Sequence, residues 1–465
     1  MGSEMCIRDR HIHAIGATEI YAVNIKGIAE GIKSRCELFS LYSDVLNLGA
    51  AIAIIDSTIE KLHRNGYAIA RLDTVFLRSD TLIAVVDPGM IEEVRFIGAD
   101  LTRQWVLESH LGVDKGDVFE KTNIQAGIKA LYSTGLYQWV NYDIKANGNR
   151  GITLTVKVEE KPNFAVRFGL HYDQKNRAEA AVGLFDDNFF GTALRVGLEG
   201  YGGERRKNAR LSINADKIWK TMFTSRLVVE YHNERYDHFR DFEIEDGDWV
   251  EHSGGMLRLG RQIGKLAMLW GEVESRRIRV SPVLKGTDET KYYIVNKVRF
   301  RSMADTYNKK QFPTKGYLYR LSFETSQDIL GGETSFSKSF AKIGTYHTIG
   351  WFTAHGWMLA GHISGTPPFF ERFMIGEQNR FWGFRGDELL GDEILNAGVD
   401  LRINFRKRLK RLYMIAGGSM GNLWAKDISV EAAKTIWGTG IGLGLETPIG
   451  PLHVLWGTTN METQY

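Results

Sequence analysis

From residue 163 onward, apolar and polar positions alternate. In FAVRFGLHY, Phe164, Val166, Phe168, Leu170 and Tyr172 fall on one face, and Ala165, Arg167, Gly169 and His171 on the other. LNAGVDLRINF repeats the pattern, with Leu395, Ala397, Val399, Leu401, Ile403 and Phe405 opposite Asn396, Gly398, Asp400, Arg402 and Asn404. A period of two marks a strand with two unlike faces. YLYRLSFE and RLVVEY follow it more loosely, and about fifteen such candidates, many of about 9–12 residues, fill the region to residue 465. A soluble sandwich alternates too, with its apolar face on a second sheet. A membrane barrel turns the apolar face to lipid and the polar face to a wet lumen. Number and length favour the barrel. A single sheet of that size must curl or close. Tilted strands of ~9–11 residues span a bilayer, and closure leaves no edge group unsatisfied in lipid.

The N-terminal third has a different rhythm. IYAVNIKG reads as a strand, and a helical stretch around 50–65 ends at Gly66, a natural C-cap. YAIARLDTVF and TLIAVVDPG follow as strands. The order then recurs: strand IEEVRFIG, helix LTRQWVLESHLG, helix NIQAGIKALYSTG with Ile124, Ile128 and Leu131 on one face, then strands LYQWVNYDIK and GITLTVKVEEKP. Two units of about 70 residues, each β-α-α-β-β, form an internal repeat.

Composition narrows the picture. The 465 residues exceed one ordinary domain, and 50 glycines, 8 prolines and 11% aromatics suit many strands and turns. With only Cys6 and Cys36, neither a disulfide framework nor a cysteine zinc site organises the chain. The longest apolar run, LNLGAAIAII, is far short of the ~20 residues of a spanning helix. A net charge of +3 points to no polyanion, and no nucleic-acid partner is expected. MGSEMCIRDR has no hydrophobic core and reads as a foreign leader or assembly scar, so residues 1–18 are set aside as non-native or disordered.

The repeated unit resembles the POTRA domain of outer-membrane assembly and secretion proteins. Gly116 and Phe119 precede its second helix, Leu131-Tyr132 end that helix, Gly135-Leu136-Tyr137 with Val140 open the next strand, and Glu159-Glu160-Lys161-Pro162 close the unit. The remainder resembles the BamA/TamA superfamily, which includes two-partner secretion pores and patatin-type autotransporters. DNFFGTALRV resembles the turn after the family's second strand, QFPTKG its P-T-x-G segment, and GLETPIGPLHVLWG its near-terminal motif. The resemblance covers roughly residues 20–457. It implies POTRA-like domains at 19–90 and 91–162, then an all-β transmembrane barrel at 163–465. The barrel is of the sixteen-stranded type, its last strand missing or abnormal, because PLHVLWG is followed only by polar TTNMETQY. An open barrel would leave edges near 163–172 and at the fifteenth strand.

RFWGFRGDELLG, residues 380–391, fits neither a helix face nor a strand. It resembles the family loop that folds into the lumen. Gly376 opens it, Phe381-Trp382-Gly383-Phe384 takes the hallmark position, and Gly391 is the later glycine. The family's loop arginine is Trp382 here. Its aspartate partner, on the facing wall strand IAGGSMGNLW with Gly421, is Ser419. Both members of the ion pair are absent, and Arg385 is either simply solvated or a substitute that pairs with Asp387 or Asp400.

Catalytic chemistry is not signalled. GGSMG matches the G-x-S-x-G nucleophile string, but its serine lies in a strand candidate rather than at a strand–turn–helix elbow. No catalytic residue, cofactor or metal site is assigned. The expected function is insertion or translocation of polypeptides at the outer membrane. Unfolded outer-membrane or secreted clients would be met by POTRA domains in the periplasm, and the barrel by the lipid bilayer. The alternative is the translocator fragment of a secreted patatin-like phospholipase whose enzyme domain is absent. A passive porin is disfavoured by the POTRA-like repeat.

Overall fold

A computed structural model describes residues 20–36, 41–46, 48–78, 81–147, 151–218, 221, 223–240, 243–263, 267–284, 289–376, 381–384, 388–405, 411–424, 435–448 and 450–460. The leader, Arg385 and Asp387 lie outside them. The chain divides into two units, one reaching Pro162 and including Phe190–Ala193, the other holding Asn163–Phe189 and Leu194 onward.

The first unit contains two small α/β modules. One runs β1 (Ile20–Lys26), α1 (Glu30–Arg35), β2 (Leu41–Leu46), α2 (Leu48–Arg64), β3 (Arg71–Arg78) and β4 (Thr81–Asp87), with sheet order β2-β1-β4-β3 and β1 parallel to β4. Ala51, Ile55 and Leu62 of α2 are buried at helical spacing. Neither α1 nor β2 stands out in the sequence pattern. α1 is six residues with none buried, and β2 exists through its antiparallel pairing with β1, a tertiary contact.

The other module runs β5 (Met90–Ile97), α3 (Gln104–Leu111), α4 (Lys121–Ser133), β6 (Tyr137–Ala146) and β7 (Gly151–Glu160), with order β5-β7-β6. Its core joins Leu107, Leu111, Phe119, Ile124, Leu131, Tyr137, Leu154 and Val156. The helices approach at Gly127, where a Cβ would sit 2.2 Å from the Leu111 carbonyl oxygen. Glu160, last residue of β7, accepts from the backbone N–H groups of Asp100, Leu101 and Thr102 at 3.0, 2.8 and 2.8 Å, fixing the turn into α3.

The second unit is one antiparallel sheet of fifteen strands. It begins with β8 (Phe164–Asp173), β9 (Arg177–Phe189), β10 (Leu194–Gly203), β11 (Arg206–Ala215), β12 (Phe223–Arg240) and β13 (Glu243–Ile263). It continues through β14 (Ala267–Pro282), β15 (Lys291–Asp305), β16 (Gly316–Ser326), β17 (Ser335–Ile349) and β18 (Phe352–Thr366). A separate hairpin, β19 (Phe373–Ile375) with β20 (Leu389–Gly391), intervenes before β21 (Glu393–Asn404), β22 (Leu412–Trp424), β23 (Ile436–Thr447) and β24 (Gly450–Thr459). β18 pairs directly with β21, so residues 367–392 are an insertion inside one strand pair. β8 and β24 are the ends of the sheet, and among the described residues it is not closed. β12 and β13, at 18 and 21 residues, exceed the expected length.

The radial sense is inverted relative to a soluble protein. Phe168 and Leu170 of β8 are 83% and 90% exposed, whereas Glu272 and Lys297 are 2% and 3% exposed. Registered pairing aligns Val196, Ile213, Leu227, Leu257, Val273 and Val298 in one apolar row across six strands. Facing inward, Arg258 donates to Glu272 at 2.6 Å, Arg299 donates to Glu272 at 2.8 Å, and Arg299 also pairs with Glu324. An apolar exterior around a charged interior suits a wall with lipid outside.

Two outcomes follow. Leu227→Arg, in the apolar row, is expected to cost about 2–4 kcal/mol, read as a lowered urea midpoint for folding into lipid vesicles. In the second module, burial is the main cause that pushes the Tyr137 phenol up to about 12 from an ordinary 10, with the Glu160 carboxylate adding to the rise. A raised folded-state value stabilises the fold fully below pH 10, and that contribution is lost as pH rises from 10 to 12. The urea transition of the water-exposed modules is expected to weaken across that window, and to weaken less in Tyr137→Phe.

Candidate functional site: the inward loop and the wall that holds it

Residues 367–392 leave the wall after Thr366, where Pro367 and Pro368 cannot continue a hydrogen-bonded ladder. A short 3-10 turn, Phe369–Glu371, follows. Phe369 packs edge-on to Tyr236 of β12, ring centroids 5.7 Å apart, and Phe370 packs on Tyr293 of β15 at the same distance. Lys297 of β15 donates to the Glu371 carboxylate at 2.8 Å, and Lys338 of β17 donates to the Glu371 carbonyl at 2.7 Å. The β19–β20 hairpin then turns the chain within an apolar cluster of Phe336, Trp357, Leu359, Ile363 and Ile394 from the wall with Phe373, Ile375, Phe381 and Phe384 from the loop.

Trp382 is the second anchor. Its indole Nε1–H donates to Asp400 Oδ1 at 2.8 Å, and its backbone N–H donates to Ser419 Oγ at 2.9 Å. Three inward glycines make room for it. A Cβ at Gly417, Gly438 or Gly440 would come within 2.4, 1.8 or 2.1 Å of Trp382 atoms. The loop therefore has an acidic partner on the wall, Asp400. Asp400 sits on β21, opposite Gly417 and one inward position along from the Gly398–Ser419 pair. A hydrogen bond to a charged group contributes about 1.5–3 kcal/mol.

Asp400 also faces the opposite end of the lumen. Its Oδ2 lies 3.0 Å from His355 Nδ1, Tyr346 stacks on the His355 ring at 4.0 Å, and Tyr307 meets Tyr346 edge-on at 4.9 Å. Tyr307 belongs to the β15–β16 turn, which also carries QFPTKG. Within that motif Phe312, at φ 46°, stacks on Tyr413 of β22 and His453 of β24 at 4.4 and 4.8 Å. Arg402 lies over Phe312, Tyr346 and Tyr413 and donates to the Pro313 carbonyl. A contact chain thus runs from the β15–β16 turn through Tyr346, His355 and Asp400 to Trp382.

These contacts also establish that the sheet curls. The loop touches β12 through Phe369 and approaches β24 at Gly383, where a Cβ would lie 2.6 Å from the Thr458 carbonyl oxygen. Ten strand steps separate β12 from β24, about 48 Å if flat at ~4.8 Å per step. One short loop reaches both only because the wall wraps around it.

Gly376, at φ 136°, lies where the hairpin's first strand ends, and Gly383, at φ 88°, follows Trp382. Both glycines adopt backbone that L side chains disfavour. Gly391 closes β20, where a Cβ would strike Leu423 at 2.5 Å. Phe381 and Phe384 meet at 5.5 Å. Ser419 touches the loop, whereas a Cβ on Gly421 would point at Asn396, 2.0 Å from its Oδ1. Ser419 lies within extended β22 and accepts a backbone hydrogen bond, far from an elbow geometry. Sequence reasoning assigned no role to Glu371, Lys297, Lys338, His355 or the aromatic pair after Pro368. For Lys297, Lys338 and His355 the signal available was a charged or titratable residue at an inward-facing strand position.

Comparisons with known proteins agree with this fold. Residues 188–464 match the family described as the Omp85 superfamily domain, and residues 90–161 match POTRA, the surface antigen variable number repeat. The chain belongs to the Omp85 superfamily. It is 22% identical over 398 residues to outer membrane protein assembly factor BamA of Nitratidesulfovibrio vulgaris, covering 79% of this chain and 48% of the relative. The chain thus spans about half that relative's length. The crystal structure of BamA from Haemophilus ducreyi lacking POTRA domains 1–3 superposes with a TM-score of 0.72 at 16% identity, covering 96% of this chain and 97% of that one. CdiB from Escherichia coli gives 0.60 at 14% identity, with 98% and 89% covered. This Omp85 chain is an outer-membrane protein with its POTRA region in the periplasm.

Trp382→Phe keeps an aromatic ring but removes the Nε1 donor, and is expected to weaken the anchor by about 1–3 kcal/mol. Gly440→Val fills the niche instead. Hydrogen exchange at the β19–β20 amides should accelerate in both variants. Unchanged exchange in both would mean that the loop is held elsewhere.

Proposed function

We propose that this Omp85 chain inserts or translocates unfolded polypeptides at the outer membrane. The observation that carries the reading is the pair of free sheet edges. Among the described residues β8 and β24 each pair on one side only, and the inward loop at Gly383 approaches β24. A strand with unpaired N–H and C=O groups is a template for another extended chain. The modules offer the same chemistry in water. β6 is a ten-residue edge strand, largely exposed, at one side of the order β5-β7-β6. A client captured there by strand addition is passed to the lumen or to the β8–β24 seam. The inward loop keeps the lumen ordered meanwhile. No bond is made or broken and no cofactor takes part; the client's own burial and pairing supply the free energy.

The test is reconstitution of the full chain in lipid vesicles with a urea-unfolded outer-membrane barrel protein as probe. Insertion should be several-fold faster than into protein-free vesicles, and the gain should fall when residues 20–162 are deleted. Failure both to speed insertion and to move an unfolded polypeptide into the vesicle interior would overturn the reading.

A further inference from the structure

Two grooves on the outer wall differ in chemistry. The larger, of about 930 Å³, is bordered by Tyr319, Met358, Val399, Met420 and Trp437 and carries no charged lining residue. The smaller, of about 660 Å³, spans β10 to β14; its charged lining residues are Arg277 and the mutually paired Arg210 and Glu230, whose side chains lie on the inward-facing positions of β11 and β12. An arginine on the outward face of a bilayer-spanning wall is costly near the hydrocarbon centre and cheap only towards an interface. Its height is therefore informative.

Strand register sets that height. The all-apolar row of Val196, Ile213, Leu227, Leu257 and Val273 is followed, two residues further along each strand, by Leu198, Leu211, Val229, Gly255 and Ser275. The next row is Gly200, Ala209, Tyr231, Ser253 and Arg277, and the one beyond is Gly202, Lys207, Asn233, Glu251 and Arg279. Each step is about 6.6 Å along the strand. The outward surface thus passes from apolar, through a patch of small residues, to a row with Tyr231 and Arg277, then to a polar row. That sequence is the profile of a bilayer interface. In the antiparallel order β14 runs in the same direction as β8, the first strand after the periplasmic region, so Arg277 lies towards the strand end away from the periplasm. The interface is that of the outer leaflet.

The small residues matter as much as the charge. Ala209, Ser253, Gly255 and Ser275 leave a trough beside Leu198, Leu211 and Val229. Arg277 and Arg279 are both exposed above it, on the same outward face of β14. Lys207 shares Arg279's row; Glu251, the acid there, stands directly opposite Arg279. Below the arginines the surface is apolar, so a soluble anion would satisfy only half of the site.

We propose that this groove binds an anionic phospholipid of the outer leaflet. One acyl chain lies over Gly255 and Ser275 against Leu211 and Val229, and the phosphate is held by Arg277 and Arg279. The guanidinium fork matches phosphate oxygens in pairs, and a cation near a charged bilayer surface gains from the lipid field.

Native mass spectrometry of the full chain tests this, with dioleoyl phosphatidylglycerol and dioleoyl phosphatidylcholine offered in equal amounts. The chain should retain phosphatidylglycerol at least about threefold over phosphatidylcholine. Arg277→Ser/Arg279→Ser should abolish the preference. Gly255→Leu, which fills the trough and keeps both charges, should lower retention of both lipids. Heat-modifiable gel mobility identifies variants whose barrel is folded. No preference in the parent chain, or an unchanged preference in the folded double variant, overturns the proposal. So does unchanged retention in folded Gly255→Leu, since charge alone would then be at work. Equal occupancy by inorganic phosphate would likewise overturn it, by assigning the arginines to a free anion.

Discussion

A peptide group in hydrocarbon has no water to bond, and the barrel unit is organised around that absence. Each interior strand of the sheet satisfies its N–H and C=O groups on two neighbours. Outward positions at the level of the hydrocarbon can then be apolar, and charges that face the lumen find their partners there. Glu272 is held between Arg258 and Arg299 on adjacent strands, and Glu371 between Lys297 and Lys338. A buried carboxylate left without such partners would be expensive. The interior network is thus the consequence of the exterior requirement. Among the described residues β8 and β24 end the sheet, each paired with one neighbour.

The inward loop relates to both facts. Its Phe369, Phe370 and Glu371 grip the side of the wall built by β12 to β17, while Trp382 and Gly383 reach β21 to β24. It is a strut across a curled sheet, one foot near the free edge. At its tip a rigid, neutral donor holds the strut: the Trp382 indole N–H bonds Asp400, and glycines at 417, 438 and 440 leave room for the ring. The β15–β16 turn braces the same strands through Phe312 and Arg402, so the last four wall strands are held from both ends of the lumen.

Much of this was legible in the chain itself. Alternation in FAVRFGLHY and LNAGVDLRINF determined which faces of β8 and β21 are apolar, because a pleated strand points successive side chains to opposite sides. Strand number and length made a barrel the economical solution, and helical spacing of Ile124, Ile128 and Leu131 located α4. Glycines such as Gly376 and Gly383 marked where backbone departs from ordinary L geometry. Tertiary structure alone decided the rest. β2 has no strand pattern strong enough to announce it and forms because β1 offers an edge. Asp400 is one of several inward acids; its bond to Trp382 depends on how β21 and β22 register. That Lys297, Lys338 and Glu371 meet follows from curling, which brings together residues 74 positions apart. Periodicity is a property of neighbours along the chain, whereas a lumen is a property of strands wrapped around it.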